Sequence, residues 1–130
     1  MKDIGIAVLI IIVLIGLFQL VTLFRARRTR GRHIGDLGDE AVRLLAGRQH
    51  ALVYLYSPVC APCRAMTPVI DTLMDAGEER IIKVDVLENA AAAQAFKVRA
   101  TPTLVRVIDS RIDNVYLGAK SEQTIQSLLP

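Results

Sequence analysis

The chain has 130 residues, a length that accommodates one compact domain and not two with separate cores. With 52% apolar and 22% charged residues it is not a disordered chain, and with no Trp and only three Phe and three Tyr its apolar excess is aliphatic. The net charge of +3 is unevenly placed, since six of the sixteen basic residues precede His33, where Asp3 is the only acid. From His33 onward ten basic residues face twelve acidic ones, a net of −2, so the whole-chain charge gives no ground for a nucleic-acid partner.

After a tail of residues 1–3, Ile4 to Phe24 carries no charge and is interrupted only by Gly5, Gly16, Gln19 and Thr22. At 1.5 Å per residue this predicts a helix roughly 30 Å long, the thickness of a bilayer's hydrocarbon core. A cleaved signal peptide is the competing reading. It fits less well, because Lys2 is offset by Asp3 and no small-x-small site follows Leu23 and Phe24. The expectation is a retained single-pass anchor.

His33 to Asp36 reads as linker or as a very short edge strand, and residues 25–33 form a basic juxtamembrane linker containing Arg25, Arg27, Arg28, Arg30 and Arg32. Their excess over Lys2 places the following domain in the cytoplasm by charge bias, and they suit contact with anionic lipid. The opposite orientation is the alternative. A docking patch for a membrane protein complex is a second use for the same arginines.

Asp36 to Glu40 opens a helix that ends at Gly47, and Ala51 to Tyr56 reads as a buried central strand. From Cys60, Met66, Val69, Ile70, Leu73 and Met74 recur at helical spacing, with Pro62 tolerated near the start, Pro68 a predicted kink and Gly77 a stop. Ile81 to Val86 is a second strand and Glu88 to Phe96 an Ala-rich helix. Thr103 to Ile108 and Asn114 to Leu117 form a hairpin around Asp109-Ser110-Arg111, and Ser121 caps a last helix over Glu122 to Leu129. This order predicts an α/β fold, a small sheet with helices on both sides.

The strongest chemical feature is Cys60-Ala61-Pro62-Cys63, a pair at the junction of a buried strand and a helix. A helix N-terminus stabilises a thiolate, and three residues is close enough for the second thiol to form a disulfide with the first. Thiol-disulfide exchange follows, with Cys60 attacking and Cys63 resolving. Arg64 could assist electrostatically or be an ordinary surface residue. A structural disulfide and a zinc site are the alternatives, and zinc wants two further ligands that His33 and His50 do not supply at compact spacing. No metal and no permanent cofactor is expected, since the glycines form no nucleotide fingerprint.

Over Ile34 to Leu129 the chain resembles the thioredoxin family, on Cys60-Ala61-Pro62-Cys63, on Arg99-Ala100-Thr101-Pro102-Thr103 and on Gly118. The resemblance implies a thioredoxin-like domain over 34–130 with a central mixed sheet flanked by helices. It also implies a cis Thr101-Pro102 bond opposite the cysteines and substrate backbone pairing near Thr101, so that Thr101, Pro102, Val59, Ala61 and Pro62 shape the substrate site. Departures are visible. Val59 stands where the family has Trp, Ala61 where it has Gly, and Tyr54 where it has a buried acid; its buried lysine falls on Ile81, with Lys83 displaced by two positions. Tyr54 is no neutral-pH base, and Asp85 reads as a strand-end acid.

The sequence as a whole thus predicts a membrane-tethered thiol-disulfide oxidoreductase of a bacterial inner or plasma membrane. Its partners are a protein disulfide or dithiol, a redox partner whose identity the sequence does not carry, and membrane lipid. The alternative is an accessory subunit of a membrane protein complex with little or no redox activity, and a dithiol oxidant is the further possibility if the topology is reversed.

Overall fold

In β1 (Ala51–Tyr56), alternate side chains enter two different cores, which is why the strand is an unbroken apolar run. Ala51, Val53 and Leu55 pack with Ala41, Leu45, Ala92, Phe96 and Ile112 on one face. Leu52 and Tyr54 pack with Met66, Ile70, Leu104 and Ile125 on the other. A computed structural model of the chain describes residues 2–27 and 30–130, with side chains described over 4–21 and 30–130.

The order is α1 (Lys2–Arg27), a 3-10 turn (Ile34–Leu37), α2 (Asp39–Leu45), β1, α3 (Ala61–Asp75), β2 (Ile81–Asp85), α4 (Ala90–Ala95), β3 (Thr103–Ile108), β4 (Arg111–Leu117) and α5 (Glu122–Leu128). The sheet runs β2-β1-β3-β4, with β1 parallel to β2 and the other neighbours antiparallel. This is the mixed sheet flanked by helices that the resemblance implies. Ser121 caps α5 as expected, its hydroxyl accepting from the Thr124 N–H, and Asn89 caps α4 in the same way through Ala92 N–H.

Beyond the extension of α1 to Arg27 and shifts of one or two residues at other element ends, three segments differ from the sequence reading. The first soluble helix splits into the 3-10 turn and α2 at Gly38, whose φ of 102° breaks the helix. β4 starts at Arg111, three residues early, because Asp109 and Ser110 at φ 50° and 58° make a two-residue hairpin turn. The start of β4 alternates exposed Arg111, buried Ile112 and exposed Asp113, so it has no apolar run to announce it.

The third concerns the linker expected over 25–33. From Arg30 onward it is docked on the outer edge of β4: Gly31 N–H donates to Ile112 O at 2.7 Å, Ile112 N–H to Arg32 O at 3.0 Å, and Ile34 N–H to Ser110 O at 2.9 Å. Arg30 donates to the Asn114 side chain. An open edge strand leaves main-chain groups unpaired, and this segment satisfies them. Of the expected basic set, Arg28 lies outside the described residues, as do the side chains of Arg25 and Arg27.

α1 is long and apolar enough to cross a membrane, and none of Ile4–Val21 is buried against the rest of the chain.

Leu55→Ala, which removes a fully buried side chain from the central strand, is expected to cost about 2–5 kcal/mol. Val59→Ala, at a 75% exposed position, should fall within about 0.5 kcal/mol of the parent. Urea unfolding of both variants in detergent checks the contrast.

Candidate functional site

β1 carries the chain to Tyr56 at the C-terminal edge of the sheet, where Ser57 turns it: Cys60 N–H donates to Ser57 O at 3.2 Å and Val59 N–H to Ser57 Oγ at 3.3 Å. Cys60 then caps α3 with extended backbone (φ −82°, ψ 118°), its sulfur accepting from Cys63 N–H at 3.3 Å. Pro62 sits in the first turn, where its missing N–H leaves no bond unmade. Cys60 and Cys63 are joined as a disulfide with Cα atoms 5.2 Å apart. The two sulfur-bearing residues are not equivalent, because Cys60 is partly exposed and Cys63 only 1% exposed.

Opposite them lies the turn before β3. The Thr101-Pro102 bond is cis, and Cys60 Sγ is 3.4 Å from Thr101 O. Pro102 is buried, its carbonyl accepts from Gly118 N–H at 2.9 Å, and Thr103 Oγ1 donates to Ala100 O at 2.6 Å, so the turn is tied to β4 and to its own start. The structure therefore brings Cys60, Cys63, Thr101 and Pro102 together. Val59, Ala61 and Pro62 form the exposed rim of the pair. Arg30 and Arg32 do not join the site, since they lie along the β4 edge.

Two cavities flank the pair. A groove of about 380 Å³ lies beside Thr101, lined by apolar Val86, Ala93, Val98 and Ala100 and by polar Gln94 and Arg99. Behind Cys63 a second space of about 360 Å³ is lined by Tyr56, Ser57, Cys63, Arg64, Thr67 and Lys83. Thr67 and Lys83 of this lining are each paired with a neighbour beside it. Tyr54 OH and Thr67 Oγ1 are 2.9 Å apart, Lys83 Nζ donates to Asp71 Oδ1 at 2.7 Å, and the Lys83 ammonium lies 5.0 Å from the centre of the Tyr56 ring.

The strand register corrects the sequence placement of the lysine. Ile81 faces Leu52, and it is Lys83 that stands beside Tyr54. Sequence reasoning also passed over Thr67 and Asp71, although Cys63, Thr67 and Asp71 recur every four residues along α3 and so share one face. Asp85 is the strand-end acid expected, its carboxylate accepting from Leu87 N–H at 2.8 Å.

Burial is the main influence on Tyr54 and pushes its phenol above the ordinary value, outweighing the Thr67 hydrogen bond and the Lys83 charge. Burial alone would lower Lys83, but the hydrogen bond and charge of Asp71, with the nearby tyrosines, hold it above the usual lysine value. At neutral pH Tyr54 is thus a neutral phenol in the core, and Lys83, which lines the space behind Cys63, is a paired ammonium.

This arrangement, a helix-capping outer cysteine, a sealed inner one and a cis-proline turn facing them, is a site for dithiol-disulfide exchange. A family model described as Thioredoxin matches residues 39–130. The thioredoxin of Haemophilus influenzae is 33% identical over 89 residues, spanning 67% of this chain and 82% of that protein; that of Bacillus subtilis is 31% identical over 80 residues, 60% and 77% of the two chains. Among solved structures, a mutant thioredoxin from Halobacterium salinarum matches with a TM-score of 0.60 at 30% identity, covering 71% of this chain and 82% of that one. Oxidized mitochondrial thioredoxin 3 from Saccharomyces cerevisiae matches with a TM-score of 0.58 at 27% identity, covering 68% and 85%. The chain belongs to the thioredoxin family, and its cysteine pair makes it a protein thiol-disulfide oxidoreductase. The family match starts at Asp39, so α1 and the docked segment stand outside it.

A pH prediction follows from Tyr54. Its proton is held more tightly in the folded chain than in the unfolded one, so this stabilisation is complete below the ordinary tyrosine value of about 10 and is lost as pH rises past the raised folded value. Tyr54→Phe should lower stability by about 1 kcal/mol near neutrality, through the stranded Thr67 hydroxyl. It should also flatten the alkaline fall in stability, leaving the share carried by Lys83. Urea midpoints from pH 7 to 11 measure both effects.

Proposed function

We propose that this chain is a membrane-tethered oxidoreductase that reduces protein disulfides, with Cys60 as attacking thiolate and Cys63 as resolving thiol. The observation that carries this reading is the unequal exposure of the two residues beside the Thr101 carbonyl. An incoming sulfur can reach partly exposed Cys60, whereas Cys63 is buried beneath it.

In the reduced pair, the Cys63 N–H and the N-terminus of α3 favour negative charge on Cys60 sulfur. Cys60 attacks one sulfur of the substrate disulfide, forming a mixed disulfide and releasing the other sulfur as a thiolate, which takes a proton from water. Cys63 loses its proton to solvent and attacks Cys60 sulfur, and the second substrate sulfur leaves as a thiol after protonation. Two electrons pass to the substrate and the enzyme pair is left oxidised, to be reset by a dithiol partner. Thr101 offers its backbone to an extended substrate segment, and the groove beside it takes a neighbouring apolar side chain.

No carboxylate lines the space behind Cys63 among the described residues, so water receives the Cys63 proton. The tether is α1, retained as an anchor in a bacterial inner or plasma membrane. The five arginines after the span, against Lys2 before it, support a cytoplasmic domain. Tyr54 and Val59, in place of the family's acid and Trp, favour the second reading, an accessory subunit whose domain serves as a binding surface.

Cys63→Ser, expressed in cells, is expected to accumulate mixed disulfides through Cys60, visible as reductant-sensitive adducts on non-reducing gels. Cys60→Ser should abolish them and all turnover. If Cys63→Ser gains no adduct beyond those of Cys60→Ser, the accessory reading replaces the enzymatic one. Protease access to a C-terminal tag in intact and opened cells tests orientation, with protection in intact cells expected.

A further inference from the structure

The segment docked on β4 determines where the active site points. Its residues pair with β4 in opposite order: Arg30 with Asn114, Gly31 and Arg32 with Ile112, His33 with Arg111, Ile34 with Ser110. Rising numbers in the segment meet falling numbers in β4, so the chain arrives from the side of Leu117. That is the end of the sheet at which Gly118 holds the Pro102 carbonyl and Thr101 meets Cys60. The hairpin at Asp109 and Ser110 is the opposite end.

The connection is also short. The apolar run closes at Phe24 and α1 ends at Arg27. Three helical steps and three peptide steps of at most ~3.5 Å hold Arg30 within roughly 15 Å of the end of the run. From Asn114 to Leu117 the strand advances roughly 10 Å back toward the side from which the chain enters. The same end of the domain exposes three apolar side chains, Val59, Leu87 and Leu117, at 75%, 63% and 60%.

We infer that the docked segment fixes the domain with its Cys60 end turned toward the bilayer, so that its substrates are disulfides of integral membrane proteins lying close to the hydrocarbon boundary. This rests on the membrane-tethered oxidoreductase reading and adds the substrate class. A domain on a long leash would sample all orientations, whereas three main-chain hydrogen bonds and the Arg30–Asn114 contact keep the chain's point of entry on the β4 edge, on the side of Leu117. The reaction is unchanged: two electrons and two protons pass from the Cys60–Cys63 dithiol to the membrane protein's disulfide.

The test uses the full chain, reduced beforehand and freed of reductant, in phosphatidylcholine–phosphatidylglycerol vesicles. Two single-span peptides serve as probes, each with a disulfide loop either about five or about thirty-five residues beyond its span, and single-turnover reduction is followed. The near probe is expected to react at least about tenfold faster than the distal one. Twelve Gly/Ser residues inserted after Thr29 should bring the ratio toward one without changing the reduction of a small soluble aromatic disulfide. In a Cys60→Ser/Cys63→Ser background, a fluorophore at Leu117→Cys should be quenched by spin-labelled headgroups more strongly than one at Asp109→Cys. Equal rates on the two probes, a ratio that survives the insertion, or equal quenching overturns the inference while leaving the tethered enzyme in place. Failure of the chain to float with the vesicles overturns the tether itself, and failure to reduce the soluble disulfide overturns the redox reading; the inference falls with either.

Discussion

The contact between Cys63 N–H and Cys60 sulfur joins folding to chemistry in this protein. The first turn of a helix leaves amide donors without intrahelical partners, and here a sulfur takes the place usually filled by a hydroxyl or carboxylate oxygen. Starting α3 therefore also aims Cys60 and supplies the positive end of the helix that a thiolate needs. The pair requires this cap because β1, buried on both faces, ends abruptly at Tyr56 and leaves only Ser57, Pro58 and Val59 for the turn.

Behind the pair the chemistry has been rearranged without losing internal consistency. A phenol hydrogen-bonded to Thr67 occupies the position where the family places an acid, and the nearest lysine is neutralised by Asp71 from α3. A partly buried ammonium without a partner would carry a desolvation cost, and the carboxylate one turn beyond Thr67 offsets it. Tyr54 and Tyr56 stack with their ring centres 5.3 Å apart, which fills the volume between β1 and α3 with aromatic surface. The site thus retains exchange chemistry with a neutral phenol in the core at Tyr54, where the resemblance implies a carboxylate.

The outer edge of the sheet shows the same economy. β4 would expose a row of unpaired amides and carbonyls, and the residues that follow α1 cover part of it. An element expected to be a spacer is thus part of the domain. The other outer strand, β2, has no strand on its outer side among the described residues, and its short length of five residues limits that exposure.

The residues alone determined the apolar helix, the central strand over Ala51 to Tyr56, the cysteine pair at a strand-to-helix junction and the Ser121 cap, because each follows from local periodicity or a single capping side chain. The early start of β4 was not legible, since a half-exposed strand whose residues alternate looks polar until its neighbour is known. Nor was the place of Lys83, since only the register of β2 against β1 puts it, and not Ile81, beside Tyr54. The docking of Arg30 to Ile34 and the joining of Asp71 to Lys83 were decided by tertiary structure alone. Contacts between residues 12 to 84 positions apart leave no trace in local pattern, and the free energy that selects them comes from pairing groups that the fold would otherwise leave unsatisfied.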